Sequence, residues 1–403
     1  MESESNTAEE TSLVQQSTAI IQNFFEIEKI TLGRSQDNVL AVYQGKLTRP
    51  SEEAYDYAEN HFQPLEITPL FRKNHHDHLV ILREGLIQPK SRKTRINILL
   101  FVLTFFSVIF AGLLSTYSGP ITGDLAVLWE NIQPVLGETL GFAVSLLGIL
   151  TAHEFGHYFA ARIHKTKVTL PYFIPFPLSP FGTMGAFIQL QQPPKNKKVL
   201  LDIGLAGPLA GLVITIPVLI YGLSLSTVER LPLDMTGYFL EGNSLLYLGL
   251  KYLIHGKWLP EPVSFQGLQP FVYWVRYFFT GMPFPNGGWD VTIHQVAWAG
   301  WAGLLITSLN LIPAGQLDGG HLVYSLFGKR AKNFWPFILG ILVILGFVWS
   351  GWWLWAFLIL IFGRTQAEPL DEITDLDPAR VWMARFGLLI FILVFIPVPL
   401  ITF

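Results

Sequence analysis

Leu146-Leu147-Gly148-Ile149-Leu150-Thr151-Ala152-His153-Glu154-Phe155-Gly156-His157-Tyr158 joins an apolar run to a cluster of ionisable side chains without a break. Residues four apart lie on one face of a helix, so His153 and His157 can present two imidazoles to a single ion while Glu154 stands beside them to handle a proton. That is the pattern of a zinc hydrolase. The bland alternative is a helix end whose histidines only cap and hydrogen-bond, but ionisable groups at membrane depth usually have a functional reason.

The surroundings of this run decide the fold class. The chain has 403 residues, 51% of them hydrophobic and 14% charged, with a net charge of -3. Its apolar residues gather into runs of about twenty, the thickness of a bilayer, which excludes an ordinary soluble enzyme. There is no cysteine, so disulfides and thiolate ligands are excluded and a metal must be held by His, Asp or Glu. The acidic, polar start is neither a secretory signal nor an Arg-rich transit peptide, which favours a bacterial source. No nucleic-acid partner is expected.

Residues 1–20 read as a disordered acidic tail and 21–95 as a small cytoplasmic α+β domain ending in a basic linker. Within it, Asn38 to Tyr43, Glu66 to Arg72 and His78 to Arg83 are strand-like, and Ser51-Glu52-Glu53 opens a helix towards Phe62. His75-His76-Asp77-His78 falls between two strands and reads as a solvated turn. Lys90, Arg92, Lys93 and Arg95 precede the first membrane run, Ile96 to Tyr117, and by the positive-inside rule hold the amino-terminal domain in the cytoplasm. The second run, Leu136 to Arg162, then returns inward and brings His153, Glu154 and His157 to a cytoplasmic end. Arg162, Lys165, Lys167, Lys195, Lys197 and Lys198 follow on that side.

Leu170 to Leu190 is too apolar for a solvated loop, too rich in proline for a spanning helix, and alternates at its end, so a re-entrant β-hairpin is expected there. The small residues Gly204 to Gly211 in the third run, Val199 to Gly222, read as helix packing. Residues 224–291 form an extramembrane loop, a fourth run ends at Asn310-Leu311-Ile312-Pro313, and Lys329, Arg330 and Lys332 lie beyond it on the cytoplasmic side. Phe334 to Phe362 is too long for one crossing and breaks at Ser350-Gly351, and a last run covers Phe386 to Ile401. The expected architecture is a polytopic α-helical membrane protein of about seven crossings, six to eight, over residues 96–403, with its core at 136–326.

A catalytic zinc keeps three protein ligands and one open position. Depth and side leave Asp318, Asp202 and His321 as candidates for the third and exclude His255 and His294. The glycines Gly315, Gly319 and Gly320 around Asp318 favour it, although periodicity does not settle the choice.

His153-Glu154-Phe155-Gly156-His157, followed some way on by Asn310-x-x-Pro313 and Leu317-Asp318-Gly319, resembles the site-2 protease family of intramembrane zinc metalloproteases. Gly182-Thr183-Met184-Gly185-Ala186, Ala206 to Gly211 and Gly315 to His321 resemble its cyanobacterial and plastid branch, the ethylene-dependent gravitropism-deficient and yellow-green type. The resemblance implies one zinc per chain on His153, His157 and Asp318, with Glu154 as general base and then acid. It also implies single-span membrane proteins as substrates, a lipid bilayer as surroundings, and a bacterial plasma membrane or thylakoid as location. An exposed strand could receive an unwound substrate by edge pairing, which makes Gly182 and Gly185 of the hairpin candidate substrate-binding residues. Asn310 is a third candidate, for the substrate or its oxyanion. The rival reading, a membrane transporter or metal-handling protein, would spread charges through the full depth or show inverted repeats, and neither is visible.

Overall fold

The computed structural model describes residues 2–33, 38–74, 77–86, 94–120, 123–236 and 239–402. The polar start is a helix and not a disordered tail: α1 runs Glu2–Ile21. Its second half sets Leu13, Val14, Ile20 and Ile21 onto the core of the sheet that follows, and burying those side chains is what holds a helix that its mixed composition does not announce.

The sheet consists of β1 (Phe25–Leu32), β2 (Val39–Leu47), β3 (Ile67–Asn74) and β4 (Asp77–Glu84), antiparallel in the order β1-β2-β4-β3. Between β2 and β3, α2 (Ser51–Phe62) turns Ala54, Tyr55, Ala58 and Phe62 onto it. The sequence reading missed β1 because a bulge between Ile27 and Lys29 breaks its alternation. Of the His75 to His78 turn, His75 and His76 lie outside the described residues, while Asp77 and His78 begin β4 and Asp77 accepts a 2.6 Å hydrogen bond from Gln44. Lys90, Arg92 and Lys93 also lie outside them.

Next come α3 (Thr94–Thr116) and α4 (Leu125–Ile163), then the hairpin of β5 (Tyr172–Pro175) and β6 (Thr183–Phe187), then α5 (Lys197–Ser224). Among the described residues, α3, α4 and α5 are the three helices long and apolar enough to cross a membrane. With 39 residues, α4 starts well before Leu136, at a cap where Asp124 accepts from the Ala126 amide. It spans about 58 Å at 1.5 Å per residue, nearly twice a hydrocarbon core. The hairpin sits against α3, where Ser107 donates to the Gly182 carbonyl at 2.6 Å.

The remaining elements are β7 (Thr227–Arg230), β8 (Phe239–Glu241), α6 (Leu245–His255), α7 (Pro270–Thr280), β9 (Trp289–Thr292), α8 (Gln295–Asn310), α9 (Asp318–Phe327), α10 (Trp335–Gly346), α11 (Gly351–Phe362), α12 (Pro378–Val394) and β10 (Leu400–Thr402). β7 pairs with β9, and β8 with the carboxyl-terminal β10. The long apolar stretch near the end does divide, into α10 and α11, around Ser350. α8 is buried along most of its length, with Trp301, Ala302 and Leu304 in the main core beside residues of α4 and α5.

A short strap ties the sheet to this helical body. The Phe71 amide donates to Leu370 O at 2.9 Å and the Glu372 amide to Phe71 O at 3.1 Å, while the Leu370 and Asp371 amides donate to Pro194 O and Lys195 O at 2.9 and 2.7 Å. The strap thus closes the open edge of β3 and holds it over the start of α5. Asp371 is buried and accepts from Ser51 of α2 and from the Thr374 hydroxyl. Lys195 pairs with Asp56, and Lys198 with Glu52 at 2.7 Å.

Candidate metal centre

His153, Glu154 and His157 lie in the last three turns of α4, all buried. One turn separates the two histidines, and their Nε2 atoms are 3.2 Å apart. The Asp318 carboxylate opens α9 and reaches both: Oδ2 is 3.4 Å from His153 Nε2, and Oδ1 is 3.4 Å from His157 Nε2. Ligands about 2.05 Å from a tetrahedral zinc lie about 3.3 Å from one another, so these spacings fit such an ion. Among the described residues this is the one group of three His, Asp or Glu side chains close enough to share a metal.

The surrounding atoms prepare the donors. His157 Nδ1 lies 2.7 Å from the Ile203 carbonyl, which can only accept, so Nδ1 carries the proton and Nε2 keeps its lone pair for the centre. Asn310, the last residue of α8, has its Nδ2 3.2 Å from His153 Nε2. The link from α8 to α9 is a tight turn in which Gly315 has φ of 62°, a conformation that favours glycine.

Helix α5 supplies the room. A Cβ built on Gly207 would lie 2.0 Å from His157 Nε2, one on Gly211 3.2 Å from His153 Nδ1, and one on Gly204 2.9 Å from His321 Cβ. The small residues expected to pack helices therefore do so against the imidazoles themselves. Their spacing of three and four along α5, facing histidines four apart on α4, was the signal the sequence offered for this.

The centre opens into a cleft of about 210 Å³. One wall is Ala186, Phe187, Ile188 and Leu190, leading out of β6; the other holds Asn310, Gln316, Leu317 and His321. Gly182 and Gly185 do not line it. Gly182 is committed to α3, where a Cβ would meet Ser107 O at 2.5 Å, and Gly185 stands in open space. Asp202 is turned away: Arg380 grips both its oxygens, Nε to Oδ1 at 3.0 Å and NH2 to Oδ2 at 2.7 Å, and His164 Nε2 adds a contact at 2.9 Å. His294 caps the far end of α8 through a 3.2 Å bond from the Val296 amide, and His255 ends α6. A larger cavity of about 770 Å³ lies between α6, α7, α10 and α12, but its lining is apolar and offers no group for chemistry.

Two imidazoles and a carboxylate at tetrahedral spacing, with a second carboxylate beside them, form the donor set of a metal-dependent hydrolase. The model of peptidase family M50 matches residues 141–347, just over half of the chain, and the chain belongs to that family. Its fold is accordingly that of a largely helical membrane protein. It is 32% identical over 273 residues to the probable zinc metalloprotease EGY1, chloroplastic, of Arabidopsis thaliana, covering 67% of this chain and 45% of that one. It is 30% identical over 320 residues to the corresponding protein of Oryza sativa subsp. japonica, covering 76% and 50%, and 28% identical over 285 residues to probable zinc metalloprotease EGY2, chloroplastic, of Arabidopsis thaliana, covering 69% and 45%. The chain thus spans about half the length of the curated relatives it matches. No solved structure matches it.

Proposed function

We propose that the protein is an intramembrane zinc endopeptidase that hydrolyses peptide bonds within or near the membrane segment of single-span proteins. The observation that carries this reading is the trio of 3.2, 3.4 and 3.4 Å separations among His153, His157 and Asp318, with Glu154 on the next position of the same helix. Bound there, zinc would supply a Lewis acid that lowers the pKa of water to about 7. Glu154 takes the proton as the nucleophile forms and returns it to the leaving amine. The Ile203 carbonyl holds the His157 ring in its ligating tautomer, and Arg380 keeps Asp202 from competing for the ion.

A membrane helix must be unwound before a peptide bond in it can be cut. The extended backbone from Ala186 to Leu190 borders the cleft, and pairing along it would hold an opened substrate beside Glu154. This moves the substrate-binding role from Gly182 and Gly185 to the residues just after them, with Asn310 opposite. About seven crossings, a re-entrant position for the β5-β6 hairpin, and cytoplasmic placement of the amino terminus and the cleft complete the reading. The location would be a bacterial plasma membrane or a thylakoid; the relatives named above are described as chloroplastic.

The test is cleavage of a single-span fusion protein by the purified chain in nanodiscs. Chelation should stop it, zinc should restore it, and mass spectrometry should place the cut inside or beside the apolar segment. Cleavage that survives complete removal of metal would refute the reading.

A further inference from the structure

Peptide hydrolysis needs a hydrogen-bond donor for the carbonyl oxygen as negative charge collects on it. The polar groups of the cleft can be taken in turn. Glu154 and Asp318 are carboxylates and would repel that charge. His153 and His157 direct Nε2 to the centre, and His157 Nδ1 is spent on Ile203. Asn310 Nδ2 lies 3.2 Å from His153 Nε2, which has no lone pair to offer once it ligates a metal, so this amide stays available as one donor, while Gln316 Nε2 is turned 3.5 Å from Thr365 Oγ1.

His321 offers a second donor. It sits one turn after Asp318 on the same face of α9, and its amide donates to Leu317 O at 3.1 Å, which fixes its backbone. Its ring lies in the cleft wall that Asp318 and His157 also line, packed where Gly204 of α5 leaves room. Among the described residues neither ring nitrogen has a hydrogen-bond partner. The ring is half-buried in the cleft wall, so its N–H can meet a carbonyl that enters the cleft.

We infer that His321 is a further catalytic residue, donating its ring N–H to the oxygen of the scissile carbonyl in the tetrahedral transition state. It donates a hydrogen bond and exchanges no proton. The inference rests on the proteolytic reading above.

The test compares His321→Phe, which keeps the ring's bulk and loses the donor, with His321→Gln, which keeps an N–H, in nanodiscs with the single-span fusion. Glu154→Gln runs alongside. His321→Phe should keep stoichiometric zinc and the wild-type KM while kcat falls on the order of 10²–10³-fold, the usual effect of removing one oxyanion donor. Affinity for a phosphinic pseudopeptide, which mimics the tetrahedral state, should fall in parallel, and His321→Gln should recover part of both. Loss of zinc in His321→Phe would make the residue a ligand or a prop for one. A wild-type kcat, or a kcat loss with unchanged phosphinate affinity and no rescue by Gln, would equally overturn the inference. Wild-type-like His321→Phe beside an inactive Glu154→Gln refutes this role alone; Glu154→Gln activity equal to wild type refutes the proteolytic reading beneath it.

Discussion

Replacing Gly207 with alanine adds one methyl group at the most sensitive point of the molecule. The new Cβ would stand 2.0 Å from His157 Nε2, whereas non-bonded carbon and nitrogen settle near about 3.5 Å, so something must retreat by about 1.5 Å. The ring has little freedom to do so, because Nδ1 is held 2.7 Å from the Ile203 carbonyl on the same helix that carries the methyl. A metal site tolerates errors of only about 0.2 Å in its ligand distances. Zinc affinity should therefore fall by at least the 10–100-fold typical of disturbing a ligand's support, and overpacking should cost about 1–3 kcal/mol of stability. Gly211→Ala is the internal control: its Cβ meets His153 Nδ1 at 3.2 Å, which a shift of a few tenths of an ångström relieves, so its effect should be clearly smaller. Zinc content measured after dialysis against graded chelator, with thermal unfolding of the same samples with and without zinc, gives both quantities. Wild-type zinc affinity in Gly207→Ala would refute the packing of α5 against the imidazoles.

Asp318→Asn should lower zinc occupancy after the same dialysis, because a neutral amide is a far poorer ligand than a carboxylate; undiminished metal would move the third ligand elsewhere. Docking of the amino-terminal domain should depend on acid pH. The hydrogen bond from Lys198 holds the Glu52 carboxyl below its ordinary value of 4.5, with Lys195 and Asn196 helping. A depressed carboxyl pKa contributes stability that is fully present above about 4.5 and is lost as pH falls through the folded-state value. Hydrogen exchange in α2 and residues 193–198, corrected for the intrinsic rate, should rise below that point and less so in Lys198→Met. The pair is half-exposed, so the effect should stay within about 1 kcal/mol, and a flat profile would show that the strap alone carries the docking.

Much of this fold is legible in the sequence because it depends on local pattern. Alternation gives β2, β3 and β4, the Ser51-Glu52-Glu53 start gives α2, and apolar length gives α3, α4 and α5. What escaped is decided by contacts between distant residues. The bulge at Ile27 hides β1, and α1 is held by a core that its own composition does not reveal. Asp371 pairs with both Phe71 and Asn196 only once the chain has closed on itself. The centre divides along the same line. His153 and His157 are one turn apart and can be paired from spacing. The third partner could only be narrowed to Asp318, Asp202 or His321, because what occupies Asp202 is Arg380, 178 positions away. The glycines of α5 read as packing in the sequence; the structure adds what they pack against.

The most direct test is Glu154→Gln, with zinc content and cleavage measured on the same preparation. The substitution keeps the side chain's size and leaves His153, His157 and Asp318 in place, so the account predicts stoichiometric zinc and cleavage of the single-span fusion reduced to background. Zinc retained together with cleavage at the wild-type rate would contradict it.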